Sequence, residues 1–287
     1  ILKKFGGEKG RYIVLSENES KKMIAKIYKT VQEDYPTETD IKTIILYFTF
    51  FKNMMLSEEE IRKYDEPTLK VSEMYKKYNE EKQNKRMMDF DDQLSYAYDL
   101  LRKNEMVLAS VSARFPYICV DEAQDTSKLQ HEIIRLIAEK SESIFMVGDE
   151  DQSIYGFRAA YPEALLNFKD IYSDASILKM ETNYRSTPEI IRVSQSFIEQ
   201  NEDRLEKTMK AVLEDNVKID ELKIKREKQY SLLKDISKEP KDTAVLFRNN
   251  ESAIPLINIL DKSNIYLIFH NSDRDRKSGS AGMPRPI

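Results

Sequence analysis

Glycine is scarce in this sequence: seven in 287 residues, with none between Arg11 and Val147. A chain so poor in the residue that takes positive φ freely has few places for tight hairpin turns, which disfavours a hairpin-rich all-β fold. A single cysteine, Cys119, excludes a disulfide framework and any cysteine-based metal site. With His131 and His270 the only histidines, zinc chemistry is nearly excluded as well. No apolar run approaches the roughly 20 residues of a membrane span. Ile1-Leu2-Lys3-Lys4 leads into polar sequence with no signal-peptide pattern, so the expected compartment is cytoplasmic. Neither sign of charge dominates. Lys+Arg total 46 against 50 Asp+Glu, a net −4, which rules out a globally basic nucleic-acid coat and leaves room for a local basic groove. Internal repeats are lacking too.

What remains is a wet, helix-rich composition, 40% hydrophobic and 33% charged, that can still bury a core. Ser16 and Glu19 form a capping-box pattern ahead of Met23, Ile24, Ile27, Tyr28 and Val31, which recur at helical spacing, and Pro36 closes that helix. Ile41, Ile44, Ile45 and Phe48 mark a second helix, and Ser57/Glu60 repeats the box. A third stretch carries Leu69, Val71, Met74, Tyr75 and Tyr78, with a Lys/Glu-rich opposite face expected in solvent. Asp89 caps a helix with Phe90, Leu94, Ala97, Tyr98 and Leu101 on one side.

From Phe115 the pattern changes to short apolar runs alternating with amphipathic helices. Tyr117–Val120, Ile144–Val147 and Ile177–Met180 are the expected strands, with helices around Leu129–Ile137 and Ala164–Phe168 between them. That alternation predicts a parallel α/β sheet. Pro188 follows Ser186-Thr187 as a helix start. Beyond the charged stretch Lys218–Lys241, Thr243–Phe247 predicts one more buried strand, then a helix with Ile254, Leu256, Ile257 and Leu260. Cys119 is expected as a small buried strand residue, and His131 on a helix surface.

Three segments at strand ends carry chemistry. Val120-Asp121-Glu122-Ala123-Gln124-Asp125-Thr126 places adjacent carboxylates where ligands bind in parallel sheets; the alternative is a helix cap after a strand. One such carboxylate can hold Mg²⁺ while the next deprotonates a water. Gly148-Asp149-Glu150-Asp151-Gln152-Ser153-Ile154-Tyr155-Gly156-Phe157-Arg158 follows the second strand. There Gln152 can donate and accept at once, suiting a phosphate or its attacking water. Phe157 beside Arg158 suits single-stranded bases and phosphates, though Tyr155 and Phe157 serve equally well as core aromatics. Glu181-Thr182-Asn183-Tyr184-Arg185-Ser186-Thr187 brings Arg185 to the end of a third strand; alone it would suit a surface ion pair.

The order and spacing of these segments, 31 residues from Asp121 to Gln152 and 33 from there to Arg185, resemble superfamily 1 helicases of the UvrD/Rep/PcrA group. VDEAQDT, VGDEDQSIYGFR and NYRST look like that family's motifs II, III and IV. Asp89-Phe90-Asp91-Asp92 resembles the acidic segment before motif II, and AVLFRNN the start of the second motor domain. The resemblance implies that Asp121 binds Mg²⁺, Glu122 is the catalytic base, and Gln152 contacts the γ-phosphate. It implies Tyr184 near adenine and Arg185 as the arginine finger. Phe157, Arg158 and Tyr155 would meet single-stranded DNA and its junctions with duplex. Phe157 stands where Trp is common, Ala159 where Gly is usual and Thr182 where Gln is usual.

The phosphate-cradling loop is missing, since no Gly-Lys dipeptide occurs anywhere. The implied architecture is therefore an incomplete P-loop NTPase (RecA-like) motor core of α/β type, with an all-helical insertion. Residues 1–88 would form that insertion (1B-like), 89–180 the rest of the first motor domain (1A-like) and 181–272 the start of the second (2A-like). Residues 273–287 would be a disordered tail or an expression scar. The implied activity is ATP- and Mg²⁺-dependent 3′-to-5′ movement on single-stranded DNA with duplex unwinding. Negligible turnover is expected of this chain alone, with self-association through unpaired sheet edges and no membrane partner. The alternatives are the helicase subunit of a recombination helicase–nuclease and a non-catalytic DNA-binding or interaction module.

Overall fold

The computed structural model describes residues 1–141, 143–153, 156, 159–215, 219, 243–247, 250–262 and 268. The chain divides into two compact units, Ile1–Asn216 and Val217–Ile287.

The first unit opens with helices α1 (Leu2–Phe5), α2 (Glu17–Gln32), α3 (Glu38–Asn53), α4 (Glu58–Arg62) and α5 (Val71–Asn84). Side chains that bond the first free amides set three of these starts. Ser16 with Glu19, Thr37 with Asp40 and Ser57 with Glu60 each make a reciprocal capping box. The middle box uses Asp in place of Glu and escaped the sequence pattern. Helix α2 ends at Gln32, where Glu33 turns left-handed (φ 59°), so the stop precedes Pro36.

The apolar stripes of these helices close on one another. Met23, Ile24 and Ile27 of α2 pack with Ile44, Phe48 and Phe51 of α3 and with Val71, Met74 and Tyr78 of α5. Phe48 lies 5.1 Å from Tyr75 and 5.2 Å from Tyr78, ring to ring, and Phe51 lies 5.2 Å from Tyr64. Such pairs add about 0.5–1.5 kcal/mol each beyond the area they bury.

The charged face of α5 is not uniformly solvated as expected, because Lys82 is 2% exposed. Its ammonium donates to Asp89 Oδ2 and Asp92 Oδ2, both at 2.6 Å, while Lys52 of α3 donates to Asp92 Oδ1 at 2.6 Å and Asp89 at 2.9 Å. Burial works against the charges of Asp89 and Lys52, but the opposite charges around them prevail. The two lysines hold the Asp89 carboxyl well below the usual range, and the two carboxylates raise Lys52 above its own. Burial and the Lys52 ammonium draw Lys82 down to about 8. Both aspartates sit at the start of helix α6 (Phe90–Lys103), where Asp89 is the N-cap and Asp92 completes the box. The quartet thus pins α3 and α5 to the helix that follows. Phe90 is corrected by this geometry: as the first helical residue it points to solvent, away from the apolar side of α6.

A second core joins α6 to α7 (Glu105–Ser112) and α8 (Lys128–Ala138) through Leu101, Val107, Leu108, Val111 and Leu136. Among the described residues three strand pairs accompany the helices. Strand β1 (Ile13–Val14) pairs with β2 (Met87–Met88), β3 (Tyr117–Val120) with β4 (Ser143–Met146), and β5 (Thr182–Asn183) with β6 (Lys210–Ala211), all in parallel. The parallel grammar holds, but the pairs form three separate two-stranded sheets.

Two expected strands are corrected. Ile177–Met180 joins no ladder and leaves Leu178 and Met180 exposed; pairing begins only at Thr182. In the second unit Thr243–Phe247 is exposed and pairs into no strand with the described residues. An apolar run supplies a strand's face, while the amides that define a ladder must come from elsewhere in the chain. Cys119 is corrected for a related reason: it lies on the open face of β3 and is exposed. Short helices α9 (Glu163–Leu166) and α10 (Phe168–Ile171) follow β4, and α11 (Pro188–Ile198) begins with Pro188 as expected. The second unit contains helix α12 (Asn250–Lys262), with Ala253, Leu256 and Leu260 buried. Except for Ile219, the stretch 218–241 lies outside the described residues, as does the tail 273–287. Among the described residues no helix is long and apolar enough to cross a membrane.

Candidate nucleotide site

Parallel pairing of β3 with β4, in register from Tyr117↔Ser143 to Val120↔Met146, makes both strands end at one edge. Ladder bonds continue past the strands, Val147 N donating to Val120 O at 2.8 Å and Ala123 N to Val147 O at 3.0 Å. The two acidic loops therefore emerge side by side. Asp121 comes first, exposed, its Oδ1 accepting from Glu122 N at 2.9 Å. Glu122 is also exposed and takes a left-handed backbone (φ 48°) before a 3₁₀ turn, Ala123–Asp125. For a residue with a Cβ that conformation costs of order 1–3 kcal/mol and persists only where its surroundings enforce it.

Gln124 is part of that enforcement. It is 2% exposed, and its Nε2 donates to Glu122 Oε2 at 2.7 Å while its Oε1 accepts from Asp149 N at 3.1 Å. Its carbonyl accepts from Ser153 Oγ at 3.2 Å. Gly148 is needed for close approach: a Cβ there would stand 2.8 Å from Gln124 Oε1 and 2.7 Å from Leu165 Cδ1. On the second loop Asp149 caps the 3₁₀ turn Glu150–Gln152, and Gln152 Nε2 donates to Asp149 Oδ2 at 2.8 Å. The acid pair and the amide are thus brought together, through Gln124.

Asp149, Glu150 and Asp151 lie within 4.8 Å of one another through their carboxylate oxygens, the one grouping among the described residues close enough to share a metal ion. Side chains of this chain already occupy it. Arg204 makes a two-pronged contact with Asp151 at 3.1 and 2.9 Å, and Lys207 reaches Asp149 at 2.6 Å and both Glu150 and Asp151 at 3.1 Å. Leu205 N donates to Glu150 Oε1 at 2.8 Å. Burial pushes against the charges on Asp151 and Lys207, yet the contacts win, lowering the Asp151 carboxyl and raising the Lys207 ammonium. Gln124, Arg204 and Lys207 all escaped the sequence reading. The available signal was three consecutive acids directly after an apolar strand, which require a counter-charge from somewhere.

Tyr184 and Arg185 stand apart from this edge in sheet terms, following β5. Asn183 Oδ1 accepts from the amides of Arg185 and Ser186 at 2.9 and 2.8 Å, fixing the turn. Both side chains are exposed, and Arg185 makes no ion pair among the described residues. The expected delivery of acid pair, amide and guanidinium by one continuous sheet is corrected to two loops on one sheet and a third on another. Tyr155, Phe157 and Arg158 lie outside the described residues. Ala159, beside them, is fully buried with φ 64°, the conformation glycine favours. His131 is corrected from surface to interior: its Nε2 lies 3.1 Å from Ala123 O, and burial lowers its pKa.

The donor chemistry fits a divalent cation at Asp121. An exposed carboxylate at a strand's carboxyl end, without an ion-pair partner among the described residues, is the hard oxygen ligand that Mg²⁺ takes alongside water.

Comparison with known proteins follows the same lines. Residues 2–173 match the family described as UvrD/REP helicase N-terminal domain, and residues 178–273 the UvrD-like helicase C-terminal domain. YjcD of Bacillus subtilis (strain 168) is 30% identical over 237 residues, covering 79% of this chain and 31% of that protein. ATP-dependent DNA helicase PcrA of Leuconostoc citreum is 35% identical over 188 residues, 64% of this chain and 25% of that one. PcrA of Staphylococcus epidermidis is 28% identical over 269 residues, 90% and 37% respectively. The chain therefore spans well under half the length of these relatives.

Proposed function

The chain belongs to the UvrD/REP helicase family, and from that premise we propose that it is part of an ATP-dependent DNA helicase. The parent protein would couple ATP hydrolysis to 3′-to-5′ movement on single-stranded DNA and to unwinding at junctions with duplex. The observation that carries this reading is the coupled pair of loops after β3 and β4, in which Glu122 and Gln152 are tied through Gln124 and Asp149.

In this reading Glu122 accepts the proton of the attacking water, its exposed carboxylate held by a neutral donor that leaves its charge intact. Gln152 meets the terminal phosphate, Tyr184 lies against the base, and Arg185, exposed after β5, supplies the cation that stabilises the transferring phosphoryl group. Magnesium held at Asp121 would neutralise charge on the phosphate oxygens. Tyr155, Phe157 and Arg158 follow Gln152 in sequence and are assigned to the DNA strand. Residues 1–88 are assigned to a helical insertion, 89–180 to the first motor domain and 181–272 to the second. The exposed apolar residues of β3 and β4 support self-association of the chain when isolated.

The test is phosphate release by the parent protein on single-stranded DNA. Glu122→Gln is expected to lower kcat by about 10²–10⁴ and Arg185→Ala by about 10³–10⁵. Duplexes with a 3′ or a 5′ tail report polarity. The 287-residue chain alone is expected to show negligible magnesium-dependent turnover. Robust turnover by that chain, or an undiminished Glu122→Gln variant, overturns the reading.

A further inference from the structure

We propose that Gln124 is a positioning residue for the general base, holding the Glu122 carboxylate in register with the loop that carries Gln152. This deepens the reading above and rests on its assignment of Glu122.

The amide of Gln124 has no freedom to face either way. Asp149 N can only donate, so the oxygen Oε1 must meet it at 3.1 Å, and the NH₂ group is left to meet Glu122 Oε2 at 2.7 Å. Both ends of a side chain that is 2% exposed are therefore in use, and turning it over would set acceptor against acceptor and donor against donor. Glu122 needs such a hold, because its backbone is left-handed and its carboxylate is otherwise in solvent. A bond at Oε2 leaves Oε1 available to a water. The donor is also neutral: a lysine or arginine in its place would fix the carboxylate equally well while draining its basicity.

The contact reaches further than one carboxylate. Asp149, whose amide holds Gln124, accepts from Gln152 Nε2 at 2.8 Å and from Lys207 Nζ at 2.6 Å on its two carboxylate oxygens. Base and phosphate-contacting amide are thus joined through an unbroken run of hydrogen bonds, Glu122 to Gln124 to Asp149 to Gln152. A displacement of either loop is felt by the other.

Two measurements test this. In the nucleotide-free 287-residue chain labelled with ¹⁵N-glutamine, the Gln124 side-chain amide should show one proton shifted downfield of solvent-exposed glutamines, and Glu122→Gln should move it. In the parent protein, Gln124→Glu keeps the volume and the acceptor for Asp149 N but turns the donor into a second carboxylate. It is expected to lower kcat by about 10- to 100-fold with KM for ATP changed by no more than roughly threefold. Gln124→Leu, which loses both bonds, should fall at least as far. A Gln124 amide signal indifferent to Glu122→Gln overturns the proposal. So do Gln124→Glu and Gln124→Leu variants turning over at the parent rate while Glu122→Gln does not, and that result leaves the role of Glu122 standing. A Glu122→Gln variant with full kcat overturns both together.

Discussion

Around Phe48 the rings and aliphatic chains of α2, α3 and α5 bury one another, whereas Tyr117 and Phe145, on paired strands, stand 67% and 59% exposed. The two regions have different requirements. A helix satisfies its backbone hydrogen bonds within itself and needs only a partner for one stripe. A strand needs a neighbour on each edge and a cover on each face, and in parallel sheets both covers come from distant sequence. The helical region closes on nearby residues, while β3–β4 and β5–β6 remain narrow and partly bare.

Breaking the helical side should have the largest effect. Lys52→Met removes one member of the buried quartet and leaves Asp89 and Asp92 with a single counter-charge, an expected loss of about 3–5 kcal/mol in denaturant unfolding followed by circular dichroism. Phe145→Ser on β4 should change the same measurement by no more than about 0.5 kcal/mol. Equal losses would show that the strand region is as tightly committed as the helical one.

An acid titration sharpens the contrast. The folded-state pKa of Asp89 is lowered, so its contribution to stability is full above the ordinary aspartate range and is lost as pH falls below about 4. Helical signal should therefore fade on acidification, and less steeply in Lys52→Met, where part of the linkage is already gone. At the edge of the site a modest gain is expected. Ala159→Gly relieves a left-handed alanine and should raise stability by about 0.5–1 kcal/mol, seen as a higher midpoint in the same denaturant series.

The comparison also explains what could be foreseen. Ser16/Glu19 and Ser57/Glu60 are local signals spanning four residues, and both boxes are present. The order of Asp121 and Gln152 at strand ends was legible because strand, turn and helix alternate with short spacing. Lys82 and Lys52 were not legible as interior groups, since their partners lie 7 to 40 residues away and nothing in the Lys/Glu pattern of α5 distinguishes a buried lysine from its solvated neighbours. Ile177–Met180 failed as a strand because pairing depends on amides that its own sequence does not contain. The low glycine count suggested few left-handed positions. Among the described residues Glu33, Met55, Arg86, Glu122 and Ala159 nevertheless adopt them, so the scarcity shifts the strain onto other residues without removing the turns.

The strap formed by Arg204 and Lys207 bears on how this polypeptide can be dissected. The boundary between its two family matches falls between residues 173 and 178, a tempting place to cut. A piece ending there would keep Asp149, Glu150 and Asp151 but forfeit both cations that neutralise them. Three carboxylates would then repel one another on the turn that presents Gln152, so Asp149–Asp151 and the Arg204/Lys207 strap form one electrostatic unit that a cut at the seam suggested by homology would break.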